Sequence, residues 1–169
     1  MNLYLTGFMA AGKTTVGRML ARRLGRRFVD LDAEIERSCG CSVADIFRRG
    51  EGAFRRAETW ALRRITRDDG LVAALGAGAL TRAENRRLIS GSGLLVGLTC
   101  AEPELWRRLR SGPAGRPRRG PVPGRRNRLR ALLRRRRAGY AHAAIQASTT
   151  RNTPGRTAAQ LHRKLRPLL

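Results

Sequence analysis

The sequence predicts an α/β fold in which a parallel sheet of about five strands has helices on both faces. Three observations favour it. Short apolar segments alternate with helical patterns along the chain, as in repeated strand–helix units. Two of these segments, 71–75 and 93–98, are apolar throughout, as expected of strands buried on both faces. A chain of 169 residues that is 41% hydrophobic also fits a single domain, residues 1–169.

The first helix is predicted to follow a phosphate-binding loop. Residues 7–14 read GFMAAGKT and fit the pattern G-x-x-x-x-G-K-[ST] at every specified position, between a short apolar strand and a helix. Backbone N–H groups in such a loop surround phosphate groups without adding side-chain bulk. Lys13 is expected to reach the β- and γ-phosphates of a triphosphate, and the Thr14 hydroxyl to coordinate Mg²⁺. The predicted nucleotide-binding residues of the loop are Gly7, Ala10, Ala11, Gly12, Lys13, Thr14 and Thr15.

Lysine usage supports this prediction. Lys and Arg together number 36, yet lysine occurs only at Lys13 and Lys164. A chain that uses arginine for nearly every cation has lysine where a compact ammonium group is needed. The alternative is an ordinary glycine-containing turn before a helix, but such a turn does not explain why lysine is used at position 13.

The remaining elements follow from apolar periodicity, capping residues and glycine or proline breaks. Strands are predicted at 3–5, 28–29, 71–75, 93–98 and 145–148. Helices are predicted at 15–24, 33–38, from 42 to about 50, 51–65, 81–90, 102–110, 125–137 and 155–165. Because parallel strands connected by right-handed crossovers end at one edge of the sheet, the loops after the strands are expected to share a single cleft.

Two aspartates follow the second predicted strand. Asp30 is expected to hold Mg²⁺ through water, and Asp32 to meet the hydroxyl group of an acceptor. The alternative is that Asp32 only caps the helix 33–38, since Asp is a favoured residue at that position.

Two further features lie near this predicted cleft. Arg55 and Glu58 are three residues apart and therefore share one side of a helix, where a simple surface ion pair is the alternative interpretation. A second glycine-rich turn, Gly76-Ala77-Gly78, follows the third predicted strand. On its own, such a turn is weak evidence of function.

Composition changes sharply near Ser111. Residues 111–124 contain most of the prolines, several glycines and three arginines, with almost no apolar residues to bury. The segment is therefore predicted to be a mobile lid over the nucleotide that carries an arginine, with a flexible linker as the alternative.

The net charge of +24 attracts nucleic acids, anionic surfaces and small polyanions alike. Aromatic residues make up 5% and are not interleaved with the arginine runs, so nucleic-acid binding is the lesser prediction. Three cysteines without a C-x-x-C spacing indicate free thiols, and no apolar run is long enough to span a membrane. We expect a cytoplasmic monomer that binds no membrane.

Taken together, the motifs resemble those of the shikimate kinase family, small enzymes with a P-loop, nucleoside-monophosphate-kinase-like fold. The resemblance covers nearly the full chain and rests on the following segments in order: GFMAAGKTTVGR, FVDLDAEIE, GEGAFRRAE, the turn 76–78, the lid dipeptide Arg116-Pro117 and the late RRAGY. It implies transfer of a phosphoryl group from ATP to the 3-hydroxyl of shikimate in aromatic amino acid biosynthesis, with Mg²⁺ as cofactor.

The resemblance also implies roles for individual residues. Lys13 and Thr14 serve ATP and Mg²⁺, Asp30 accompanies the metal, and Asp32 orients the acceptor hydroxyl and takes its proton. The acceptor-binding subregion spans 32–62. The other implied roles are a carboxylate clamp of Arg55 and Arg136 with Glu58 holding Arg55, a ring support formed by Gly76, Ala77 and Gly78, a lid arginine at Arg116, and an adenine contact at Arg108.

The chain departs from the family pattern at several positions. Ala77 stands where the family has a glycine and would cost about 1 kcal/mol if its φ were positive. Ala10 replaces another common glycine, and the lid reads Arg-Pro-Arg-Arg. Choosing Arg136 among Arg134, Arg135, Arg136 and Arg137 depends on the register of Tyr140. These departures leave open a different hydroxy acid as the acceptor.

Overall fold

The computed structural model describes residues 1–111 and 126–169. Five parallel strands form one sheet in the order β2-β3-β1-β4-β5. Their bounds are β1 Asn2–Gly7, β2 Phe28–Asp30, β3 Val72–Ala74, β4 Gly93–Thr99 and β5 Ile145–Ser148. The prediction of a parallel sheet of about five strands flanked by helices is confirmed.

The helices of the described residues connect successive strands and cover both faces of the sheet. They are α1 Lys13–Arg23, α2 Leu31–Cys39, α3 Val43–Arg48, α4 Glu51–Ile65, α5 Ala83–Ser92, α6 Glu102–Ser111, α7 Arg126–Ala141 and α8 Pro154–Leu165, with short 3₁₀ turns at Ala79–Thr81 and Arg166–Leu168. Within residues 1–111 and 126–169, no helix has both the length and the apolar composition that a membrane crossing requires.

The central strand β1 is buried on both of its faces. Leu3 and Leu5 of β1 pack into one core with residues of α1, α6, α7 and α8. Tyr4 packs into a second core on the opposite face, with residues of α2, α3, α4 and α5. Because each core is buried, side chains on both faces of β1 must be apolar or fully hydrogen-bonded.

Two predicted helix starts were wrong. Asp30, not Asp32, caps α2: its Oδ1 accepts hydrogen bonds from the backbone N–H groups of Asp32 and Ala33 at 3.2 and 3.4 Å. Helix α5 begins at Ala83 and not at residue 81, where the Thr81 hydroxyl donates to the Gly78 carbonyl at 2.7 Å. In both cases a competing local hydrogen bond decided the boundary.

Other boundaries agree more closely with the sequence. Ser42 and Asp45 form a capping box at the start of α3, and Thr153 caps α8 with Pro154 in its first turn. Helix α7 runs to Ala141, about one turn beyond the predicted end at residue 137. This extension places Tyr140 on the helix, where it packs against both cores.

Candidate active site

The phosphate-binding loop connects β1 to α1 through an unusual backbone. Gly7 has φ 147° and Gly12 has φ 94°, both in the region that favours glycine. A Cβ atom added at Gly7 would lie 2.5 Å from the carbonyl oxygen of Leu98 on β4, so the neighbouring strand also requires glycine there. These two glycines let the loop lead directly into the N-terminus of α1. A glycine-rich loop followed by a helix N-terminus is an arrangement that binds phosphate groups.

The Lys13 side chain folds back over this loop. Its Nζ donates to the carbonyl oxygens of Gly7 and Phe8 at 2.9 and 3.0 Å. Burial lowers the pKa of Lys13 to about 8, while Asp32 and Asp30 act in the opposite direction. The positive charge of Arg136 adds to the lowering, so four charged side chains from different parts of the chain act on one another here.

Thr14 and Asp30 form the part of the site suited to a divalent cation. The Thr14 hydroxyl donates to Oδ2 of Asp30 at 2.6 Å, while the other carboxylate oxygen caps α2. Hydroxyl and carboxylate oxygens are the ligands that Mg²⁺ prefers, usually together with water and substrate phosphates. Within the described residues, no group of three or more His, Cys, Asp or Glu side chains could hold a metal by itself. The pair therefore fits a metal that is bound mainly by the nucleotide.

On the acceptor side, Arg55 and Glu58 form a largely buried ion pair on α4. Arg55 Nη1 donates to Oε2 of Glu58 at 2.9 Å, and the Glu58 side chain is 0% exposed. Glu51, which is 71% exposed, contacts Arg55 from the solvent side at 3.1 Å. Burial raises the pKa of Glu58 and Asp32 adds to the increase, whereas Arg55 and Arg136 oppose it. The pair is therefore more than the surface ion pair that was the alternative interpretation.

The turn 76–78 lies directly against these side chains. A Cβ atom added at Gly76 would lie 2.7 Å from Oε1 of Glu58 and 3.3 Å from Oδ1 of Asp32. One added at Gly78 would lie 2.5 Å from Nη2 of Arg55. A side chain at either glycine would therefore displace the end of the Glu58 or Arg55 side chain, because these charged groups approach the backbone there.

Ala77, between these glycines, is accommodated without backbone strain. Among the described non-glycine residues, positive φ occurs at Ala10 and Arg151 and not at Ala77. The condition for a strain cost at Ala77 is thus not met. Its carbonyl oxygen accepts a hydrogen bond from the Tyr140 hydroxyl at 2.8 Å, which ties the turn to α7. Burial raises the pKa of Tyr140 to about 12.

Arg136 is distinguished from its neighbours by its environment. Arg134, Arg135 and Arg137 are exposed, whereas Arg136 is half-buried with its guanidinium 5.5 Å from the centroid of the Phe8 ring. Its Nη1 is buried and has no hydrogen-bond partner within the described part of the chain. A buried guanidinium nitrogen without a partner is costly, and an anionic ligand would supply one.

Arg108 contacts the phosphate-binding loop from α6. Its Nη1 donates to the Ala10 carbonyl at 3.3 Å and to the Thr149 hydroxyl at 3.2 Å, and its Nη2 donates to the Thr149 carbonyl at 2.7 Å. Glu104 accepts from its Nε at 2.7 Å. Arg108 therefore connects the nucleotide loop with the end of β5. The sequence did not predict the contact of Thr149 with Arg108, because the two residues lie far apart in the chain.

The other predicted site residues have varied positions. Ala11 is buried behind the loop, and Thr15 is exposed in the first turn of α1. Ala10 holds φ 61°, a strained value for a residue with a side chain. Arg116 and residues 112–124 of the predicted lid lie outside the described residues.

Comparisons with known proteins agree on one family. A family model described as shikimate kinase matches residues 9–166. A shikimate kinase from Symbiobacterium thermophilum is 45% identical over 170 residues, covering 98% of this chain and 96% of that protein. One from Synechococcus sp. is 42% identical over 149 residues, covering 87% of this chain and 75% of the other. A solved shikimate kinase from Acinetobacter baumannii, in complex with shikimate, matches with TM-score 0.90 and 36% identity over 99% of this chain and 93% of that one.

Proposed function

Because the chain belongs to the shikimate kinase family, we propose that it transfers the γ-phosphoryl group of ATP to the 3-hydroxyl of shikimate, giving ADP and shikimate 3-phosphate. The observation that carries this proposal is that charged side chains of the acceptor side meet next to the phosphate-binding loop. Asp32 and Glu58 both approach Gly76, Arg55 donates to Glu58, and the guanidinium of Arg136 lies over the ring of Phe8 in the loop. A triphosphate and a small carboxylic acid can therefore be held side by side.

The donor half of the site would bind ATP through backbone N–H groups and Lys13. The ammonium group, now on two loop carbonyls, would exchange these neutral partners for phosphate oxygens. Thr14 and Asp30 would hold Mg²⁺, which when bound neutralises charge on the phosphates. Arg108 would lie against the nucleobase, and Arg116 remains the predicted contact to the transferring phosphoryl group.

The acceptor half would bind the substrate through its carboxylate. Guanidinium groups match a carboxylate with two parallel hydrogen bonds, so Arg55 and Arg136 are suited to clamp it from two sides. Glu58 would keep Arg55 in place, as it does in this structure. The tight backbone at Gly76 and Gly78 would leave space for a ring beside Ala77.

The chemical step needs positioning and charge more than covalent catalysis. The acceptor hydroxyl oxygen would form a bond to the γ-phosphorus as the bond from that phosphorus to the bridging oxygen of ADP breaks. The hydroxyl proton would pass to the Asp32 carboxylate. Asp32 suits this role because it lies beside Gly76, on the side of the turn that also faces Glu58.

A coupled assay of ADP release with shikimate and a panel of other small hydroxy acids tests the substrate. We expect turnover with shikimate, and activity confined to a different acid would overturn the proposal. The comparisons give no support to a different acceptor or to a nucleic-acid function. Cytoplasmic location and a monomeric state remain predictions.

The clamp can be tested with a matched pair from one run of arginines. Arg136→Gln should raise KM for shikimate by about tenfold or more, since a charge-assisted contact to the carboxylate is lost. Arg137→Gln removes the same charge from an exposed neighbour and should leave KM within about twofold. Equal effects of both changes would contradict the assignment of Arg136.

A further inference from the structure

A second concave region adjoins the acceptor side of the active site. A cavity of about 330 Å³ lies where the turn after β3 meets α5 and α7. Ala77 and Arg136 belong to its wall, but Lys13, Asp32, Arg55 and Glu58 do not. The cavity is therefore a neighbouring volume that shares one wall with the proposed acceptor site.

Positive charge dominates the polar part of this wall. Arg86, Arg135 and Arg136 line the cavity together with His142 and the ring of Tyr140, and none of the lining residues that the structure describes is acidic. Arg86 is fixed in place because its Nη1 donates to the carbonyls of Leu80 and Thr81 at 2.7 and 3.2 Å. By contrast, Arg55, Arg107 and Arg108 each pair with a glutamate of their own helix.

We propose that this cavity binds a small molecule with two acidic groups, one a carboxylate and the other a carboxylate or phosphate. Three arginines at one cavity favour an anionic ligand, and guanidinium groups recognise both kinds of acid. The volume suits a molecule of metabolite size and is too small for a nucleic acid. This inference goes beyond the phosphotransfer reaction, and its effect on the acceptor rests on the proposed role of Arg136.

Because Arg136 belongs to both sites, a molecule bound in this cavity would affect binding of the acceptor. An anion that takes a hydrogen bond from Arg136 in this cavity competes with the acceptor carboxylate for the same guanidinium. The site would therefore weaken acceptor binding while leaving the nucleotide loop unaffected. Such a molecule would raise KM for the acceptor without changing KM for ATP.

Phosphonoacetate is a suitable probe, because it carries a carboxylate and a phosphonate and has no group to transfer. Its affinity is measured by isothermal titration calorimetry at fixed ionic strength, with saturating ADP occupying the phosphate-binding loop. We expect Arg135→Gln and Arg86→Gln each to weaken binding by about fivefold or more, the loss of one partly exposed charged contact. Arg134→Gln and Arg137→Gln, the same charge change at exposed neighbours outside the lining, should stay within about twofold of the parent protein.

Three outcomes would overturn the proposal. The first is no binding by the parent protein, and the second is an equal loss in all four arginine variants, which would indicate general charge attraction. The third is a loss in Arg55→Lys with none in Arg135→Gln, which would place the probe on the acceptor clamp. Arg135 is exposed, so its variant gives a clear result even if Arg86→Gln alters the turn.

Discussion

The two halves of the active site are built in different ways. The phosphate half is nearly continuous in sequence: residues 7–15 form the loop, and Asp30 joins it from the end of β2. The acceptor half is assembled from α2, α4, the turn 76–78 and α7, and its residues are up to about a hundred positions apart. Backbone conformation fixes the first half, whereas buried charges in contact with glycine backbone fix the second.

This difference predicts different responses to mutation. Changes in the loop should alter nucleotide binding and local strain, because the loop depends on φ angles and N–H directions. Changes in the acceptor half should lower stability as well as activity, because removing one partner leaves a buried charge without compensation. Four experiments, in order of decreasing expected effect, test this contrast.

The largest effect is expected for Lys13→Met. Without the ammonium group, charge on the transferring phosphoryl group loses its fixed partner, and kcat/KM should fall by about a thousandfold. Lys164→Met is the matched control, since Lys164 is the one other lysine and its Nζ donates to the Gln146 carbonyl of β5. A similar loss in both variants would remove Lys13 from the proposed role.

The second experiment compares two acidic partners of one arginine. Glu58→Ala should lower the free energy of unfolding by about 3 kcal/mol, measured by urea denaturation, because it leaves Arg55 in a buried site. Glu51→Ala removes the exposed partner of the same guanidinium and should leave unfolding nearly unchanged. If the two variants were equally stable, the acceptor half would not depend on buried charge.

The third experiment uses pH to examine Lys13. Burial lowers its pKa to about 8, so the free site loses the proton as pH rises through that value. Bound phosphate favours the protonated form, so ADP binding takes up a proton above pH 8, and affinity falls by up to about tenfold per pH unit. Calorimetry in buffers of different ionisation enthalpy measures this uptake.

The same pKa has a consequence for stability. Between about pH 8 and the ordinary lysine range the unfolded chain binds more protons at this group than the folded chain, so its contribution to stability rises with pH. Lys13→Met should remove both the proton uptake and this rise. Persistence of either in the variant would assign the titration to another group.

The smallest effect is expected for Ala10→Gly. Ala10 holds φ 61°, a conformation that costs a residue with a side chain about 1 kcal/mol. The glycine variant should therefore be more stable by about that amount in thermal or urea unfolding. Ala11→Gly is the control: Ala11 is buried without a positive φ, so the same change there should destabilise.

Much of the acceptor half could be proposed from the sequence only through resemblance. Arg55 and Glu58 were recognisable as neighbours on one helix, but spacing alone did not distinguish a surface pair from a buried one. Within the run 134–137, no local property separates one arginine from the next. The Tyr140 hydrogen bond to Ala77 and the Thr149 contacts to Arg108 had no local pattern at all.

The sequence by itself determined the order of strands and helices and the phosphate-binding loop, because these depend on apolar alternation and on glycine at particular backbone positions. Tertiary structure alone decided that Glu58 is buried, that Gly76 and Gly78 lie against charged groups, and that Arg136 packs beside Phe8. The reason is physical: desolvation and close approach arise only when distant segments meet, and they set the charge state and position of a side chain more strongly than its neighbours in sequence do.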